Sequence, residues 1–150
     1  MDSLDRKLLR ALQRDAHLSQ AALAEEVGSS PASCWRRMKA LEEAGILGPT
    51  VRLVDPRALG KNLDAICQVR MKVHDRENRA AFEKFIEHQE DVTECLSMSG
   101  EWDYQLRITV KDMAEYEDFL MRRILSHPAV ATSASHFALK RIKYTTALSV

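Results

Sequence analysis

Leucines at positions 4, 8 and 12 recur one helical turn apart, and Leu9 and Ala11 widen the stripe. That i, i+4, i+8 spacing puts one apolar face on a first helix from about Ser3 to Arg14, capped by Ser3 or Asp2. Asp15-Ala16-His17 connects it to a second helix that opens at Ser19, turns Leu23 and Val27 inward and closes at Gly28. The third helix has Ser30 as its cap and Pro31 at the first helical position, where no backbone N–H is needed. Cys34, Met38 and Leu41, at i, i+4 and i+7, form its buried stripe, and Gly45 ends it. Thr50–Val54 then carries a short strand signal. Three helices and a strand describe a helix-turn-helix with a small wing, over residues 1–54.

The period changes after a hinge at residues 55–62, where Pro56 and Gly60 punctuate the chain. Ala65, Cys67, Val69, Met71 and Val73 alternate with Ile66, Gln68, Arg70, Lys72 and His74, which predicts a strand. Phe82, Phe85 and Ile86 return to helical spacing from about Asn78 to His88. Val92–Ser99 reads as a second strand and Ser99–Asp103 as a turn, and Tyr104, Leu106, Ile108 and Val110 alternate in a third strand. Asp112 caps a helix that buries Tyr116, Phe119, Leu120 and Ile124. His127-Pro128 breaks it, and a last strand runs from about Val130 to Ile142. The order β-α-β-β-α-β over residues 63–150 is ferredoxin-like, so the whole chain is an α+β protein of two parts. Two helices cover one face of the sheet. The other face carries Ile66, Gln68, Arg70, Gln105 and Arg107, and is either solvated or paired with a second sheet.

Composition narrows the function classes. With 45% hydrophobic and 29% charged residues the chain has a soluble globular profile, and no apolar run approaches the ~18 residues of a membrane helix. No apolar segment follows a basic one at the N-terminus, so no signal peptide is expected and the cytoplasm is the expected location. Cys34, Cys67 and Cys95 lack Cys-x-x-Cys spacing, and no two of the 5 histidines stand at metal-ligand spacing, so neither a cofactor nor a metal is expected. Net charge is zero, and each side of residue 60 is within one charge of neutral. Any affinity for nucleic acid must therefore come from a local patch, from several copies of the chain, or from both.

The third helix supplies such a patch. A short helix with a small-residue N-terminus and paired arginines suits the DNA major groove. Arg37, one turn beyond Ser33, is the expected base-edge reader, and Arg36 and Lys39 are expected on phosphates. Ser19 and Gln20, starting the second helix, can bond phosphate as well, and Ser30 and Ser33 stand at the start of the third. Trp35 lies off the buried stripe and either packs on the first helix or a neighbouring subunit, or stacks on DNA sugars.

Two further motifs make the pattern specific. Leu4-Asp5-Arg6, Ser30-Pro31 and Arg36–Glu42 stand in the first part, and Glu94–Tyr104, Asp112-Met113 and His127–Val130 in the second. With these, nearly all 150 residues resemble the leucine-responsive regulatory protein/AsnC (feast/famine) family of transcription regulators. The resemblance implies a winged DNA-binding domain joined to a ligand-sensing domain, and homodimers that pair their open sheets and assemble further into octamers. It implies double-stranded DNA and a free amino-acid effector, bound between subunits, as partners. The positions that match its effector site are Ser99, Gly100, Glu101, Trp102 and Asp103, with Met113, His136 and Phe137 as second candidates. Many relatives have Gly-Asp-aromatic-Asp where this chain has Gly-Glu-Trp-Asp. The tail Phe137–Leu148 is similar to members that respond to leucine or methionine.

Two other functions fit the same outline. A ligand-independent architectural protein would wrap DNA without sensing anything. Siroheme decarboxylases share the two-part architecture but carry a Tyr-x-Arg-Glu-His type segment, where this chain reads Ser97–Trp102. No nucleophile–base constellation or Gly-rich phosphate loop is present, so no enzymatic activity is expected.

Overall fold

The computed structural model describes all 150 residues as two compact units, one made of Met1–Leu53 with Ile142–Val150 and the other of Val54–Arg141. The first unit holds α1 (Ser3–Arg14), α2 (Gln20–Val27) and α3 (Pro31–Glu43). Each starts where a side chain satisfies an orphan N–H. Asp2 accepts from Leu4 and Asp5, Ser19 from Ala22, and Ser30 from Ser33. Gly28 ends α2 in the left-handed region at φ 71°, a conformation that favours glycine. Leu8, Ala11, Leu23, Ala24, Val27 and Cys34 form the core, flanked by Leu4, Leu12, Leu18 and Met38. The apolar stripes read from the sequence thus meet in one place.

The strand expected at Thr50–Val54 does not form. A strand is a pairing property, and this segment has no ladder partner within the chain. Val51, Leu53 and Val54 stay 64–70% exposed as a result. The last residues, expected with the second part, return to the first unit. Gln13 donates to the Leu148 carbonyl (3.1 Å) and accepts from the Leu148 N–H (2.6 Å), a two-point grip on extended backbone. Arg10 donates to the Val150 carbonyl.

The second unit is a four-stranded antiparallel sheet in the order β2-β3-β1-β4, with β1 Leu63–Met71, β2 Val92–Ser97, β3 Tyr104–Val110 and β4 Val130–Phe137. Helices α4 (Arg76–Glu87) and α5 (Met113–Phe119) supply Phe82, Ile86, Tyr116 and Phe119 to its core, and a π-helical turn over Leu120–Ile124 continues α5. Ala65, Cys67 and Val69 of β1 pair with Ile108, Leu106 and Tyr104 of β3, all buried. This is the face expected from the alternation. Ile66, Gln68, Arg70, Gln105 and Arg107 lie on the other face, half-buried or exposed. Strand β4 stops at Phe137 rather than near Ile142, because its partner ends: Phe137 faces Ala65, and Ala138 makes a last bond to the Asp64 carbonyl. No helix is long and apolar enough to cross a membrane.

Candidate DNA interface and ligand-binding turn

In the first unit, α3 presents two different faces. Cys34 and Leu41 are buried and Met38 is half-buried. Arg36 and Lys39, three residues apart and hence neighbours on the helix, are exposed, with Ser33 one turn before Arg36. Ser30 and Ser19 spend their oxygens as acceptors for helix N–H groups, at 3.2 and 3.1 Å, and both remain on the surface. Gln20 reaches across to the Met38 sulfur at 3.7 Å. Trp35 is 57% exposed rather than packed on α1.

Arg37 departs from expectation. Its Nη1 donates to Asp2 Oδ2 at 2.8 Å and to Asp5 Oδ1 at 2.7 Å, so its guanidinium faces the start of α1 instead of reaching outward. Its side chain is only 29% exposed, and its Nε is buried with no acceptor. The hydrogen bonds from Arg37 to Asp5 and then Asp2 hold its pKa above the ordinary value. The Asp5 backbone N–H, with Arg37 behind it, holds the Asp2 carboxyl low against a modest burial effect. In the chain without DNA this charge is engaged inside the unit. Asp2 and Asp5 were missed as functional residues. Their spacing reads as a capping box, but nothing local announces a partner on another helix.

In the second unit, the turn between β2 and β3 is anchored at Asp103, which is 7% exposed. Its Oδ2 accepts from the Met71 N–H (2.8 Å) and lies 3.0 Å from His74 Nε2, while its Oδ1 accepts from Arg79 (3.0 Å). Burial pushes this carboxyl up, but the Met71 bond, His74 and Arg79 outweigh it and hold the pKa below the ordinary value. Asp103, one of the candidate effector residues, ties the turn to β1 and α4. Glu101 pairs with Arg70 Nη2, and the same guanidinium lies 5.1 Å from the centre of the Trp102 ring. Gly100 adopts φ 105°, and a Cβ built there would meet nothing within 4 Å. Its conformation, not clearance, calls for glycine. Ser99, Gly100 and Glu101 are exposed.

Met113, His136 and Phe137 lie elsewhere. Met113 opens α5 just past the far end of β3, His136 faces Ile66 near the start of β1, and Phe137 meets the Tyr116 ring edge-on at 5.1 Å. Met113 lies past the far end of β3, roughly 20 Å from the turn at about 3.3 Å per residue, while His136 and Phe137 face Ile66 and Ala65 and so stand level with Arg107 and Ile108 of β3, two strands away. Within one chain the two groups of candidate effector residues are therefore not brought together. Arg70 and Arg79, which hold the turn, were not singled out as site residues. Arg70 was legible only as a polar position on the open face.

Comparisons with known proteins accord with both units. A winged helix-turn-helix DNA-binding model matches residues 1–47 and the Lrp/AsnC ligand-binding domain model matches residues 64–148. The chain is 39% identical, over all of its length and 99% of the relative's, to the DNA-binding transcriptional activator DecR of Escherichia coli K12. It is 33% identical to a leucine-responsive regulatory protein of Rhizobium meliloti, over 95% of this chain and 92% of that one. A Neisseria meningitidis transcriptional regulator solved with L-Met superposes with a TM-score of 0.95 and 34% identity, over 99% of this chain and 96% of that one. With a capped three-helix reader, an antiparallel β2-β3-β1-β4 sheet and these matches along nearly its whole length, the chain belongs to the Lrp/AsnC family and is a DNA-binding transcription regulator that carries the family's ligand-binding domain.

Proposed function

We propose that this regulator senses a small free amino acid at a site completed by two chains. The observation that carries this reading is the separation of its candidate residues. Ser99–Glu101 stand at one end of β3, Met113 past the other, and His136 and Phe137 on β4, two strands away, so a single chain does not close one pocket from both sets. A second copy can supply what is missing. Its placement follows from the open sheet face, where Ile66, Gln68, Arg70, Gln105, Arg107 and Leu96 have no covering layer. Pairing of two such faces is the proposed homodimer, at about 800 Å² per partner, and dimers assemble further to an octamer.

The effector chemistry follows from the turn. Gly100 leaves the backbone N–H groups open to a ligand carboxylate. Arg70 adds a cation, and Glu101 is the carboxylate left to meet an ammonium group once Asp103 is committed to structure. Leucine and methionine are the first effectors to test, because a leucine-responsive protein and an L-Met complex stand among the relatives. On the output side, Arg36, Lys39, Ser33 and Ser30 of α3, with Ser19 and Gln20 of α2, are the proposed DNA contacts. Arg36 takes over the part expected of Arg37. The ligand shifts DNA binding by favouring one assembly geometry over another, which is a linkage and needs no enzymatic step. The proposed location is the cytoplasm.

Thermal denaturation with each of the twenty amino acids, followed by DNA binding with any that shift the midpoint, tests the reading. A shift with one or a few amino acids, and a matching change in DNA affinity, is expected. No shift with any of them overturns the sensor.

A further inference from the structure

We infer that Arg37 is a positioning residue, which sets the angle of α3 against the start of α1 through Asp2 and Asp5 and does not itself read DNA. Three features of the geometry carry this. First, one guanidinium nitrogen bridges two carboxylates, at 2.8 and 2.7 Å. Second, those carboxylates are not loose surface acids. Asp2 Oδ1 accepts the N–H groups of Leu4 and Asp5, and Asp5 Oδ2 accepts the N–H of Asp2. Each acid therefore has one oxygen fixed by the capping box of α1 and the other turned to α3. Third, Arg37 shares a helix side with the buried Cys34 and Leu41, at i−3 and i+4, and its Nε is enclosed without an acceptor.

Electrostatics points the same way. Two carboxylates share one guanidinium, so moving Arg37 onto a base would leave two negative charges without this partner while the chain meets a polyanion. The arrangement favours an arginine that stays in place and leaves Arg36, one residue earlier and exposed, to meet the nucleic acid. The carboxylates also constrain the register of α3, because hydrogen bonds to a bridged guanidinium are directional and apolar contacts are not.

The test uses the full chain and a duplex selected by the wild-type protein from a randomised library, with a scrambled duplex of the same length as reference. Four proteins are compared: Arg37→Gln, the double variant Asp2→Asn/Asp5→Asn, the triple combination, and the single Asp5→Asn, which keeps the Asp2 cap. The readout is the ratio of specific to non-specific affinity, which cancels the general gain from removing acids. Positioning predicts that Arg37→Gln and the double variant each lower the ratio about fivefold or more, and that the triple adds less than about twofold, because all three break one linkage. Asp5→Asn moves the ratio in the same direction. The salt dependence of specific binding keeps its slope in Arg37→Gln, and reselection by that variant returns the same bases at every position. The inference is overturned if the aspartate variants leave the ratio unchanged or raise it. It is equally overturned if Arg37→Gln relaxes one base position, or lowers the salt slope by about one contact.

Discussion

The carboxylate of Asp103 accepts the backbone N–H of Met71 at 2.8 Å, and so joins the turn before β3 to the end of β1. The bond sits where β1 loses its regular register, between Arg70 and Met71. An irregular strand end leaves an N–H without a ladder partner, and the acid supplies one. Arg79 of α4 then docks on the other oxygen at 3.0 Å. Truncation at this position would leave a buried donor and a cation without their acceptor. Asp103→Ala is expected to destabilise the second unit by about 1–3 kcal/mol, read as a lower midpoint in urea unfolding. Because the turn hangs on this bond, any amino-acid response should be lost in the same variant.

The same carboxylate makes a pH prediction with a definite sign. Its folded pKa lies below the ordinary value, so the ionised form is the one the fold prefers. That stabilisation is complete above the unfolded carboxyl pKa of about 4 and is lost as pH falls through the lower folded value. The stability difference between the wild type and Asp103→Asn should therefore be present at about pH 5 and shrink as pH falls below about 4. Urea unfolding of both proteins from about pH 5 downward measures it. A difference that grows below about pH 4 would contradict the assigned direction.

Local patterns made much of this fold legible and none of its long-range ion pairs. Helix starts at Asp2, Ser19, Ser30 and Asp112 follow from side-chain capping within three residues, and the buried face of β1 follows from strict alternation. Thr50–Val54 misled because its strand signal is a local property and pairing is not. The partners of Arg37 were hidden for a related reason: the acids that hold it lie at positions 2 and 5, at the start of another helix. Asp103 was singled out because turns carry function, and its partners come from β1, the residues after it and α4.

Ser30 offers a direct test of the reading helix. Its hydroxyl accepts the Ser33 N–H at 3.2 Å while Pro31 occupies the first helical position. Ser30→Ala removes the cap and should cost the first unit about 1 kcal/mol, whereas Ser30→Asp should keep most of it. Thermal melts separate the two. DNA affinity should fall in Ser30→Asp all the same, since that side chain adds a negative charge to the face proposed to meet phosphate.

Gly100 tests the turn without disturbing its packing. The residue holds φ 105°, and nothing lies within 4 Å of the place a Cβ would take. Gly100→Ala therefore meets strain from the backbone alone, on the order of 1 kcal/mol or more. The expected outcome is a small drop in the thermal midpoint and a larger loss of amino-acid response, because relaxing the strain turns the Ser99–Glu101 N–H groups away from the ligand. An unchanged response would remove the turn from the proposed site.

A site shared between chains predicts complementation. A variant altered at the turn, such as Gly100→Ala, loses the first half of every site, and a variant altered at the far end of β3, such as Met113→Asp, loses the second. Met113 is exposed, so the charge should not unfold its own chain. Neither variant alone should respond to the effector. In a mixed dimer both lesions fall in one site and the other site receives an intact turn from one chain and an intact Met113, His136 and Phe137 from its partner. Refolding the two variants together should therefore restore ligand binding, with the wild-type affinity at the recovered sites and a reduced number of them. Isothermal titration reads both quantities at once. If the mixture stays silent while each variant remains folded and dimeric, the two groups of residues do not form one site across two chains of a dimer. The turn and the positions of Met113, His136 and Phe137 would then be independent surfaces instead of one divided pocket.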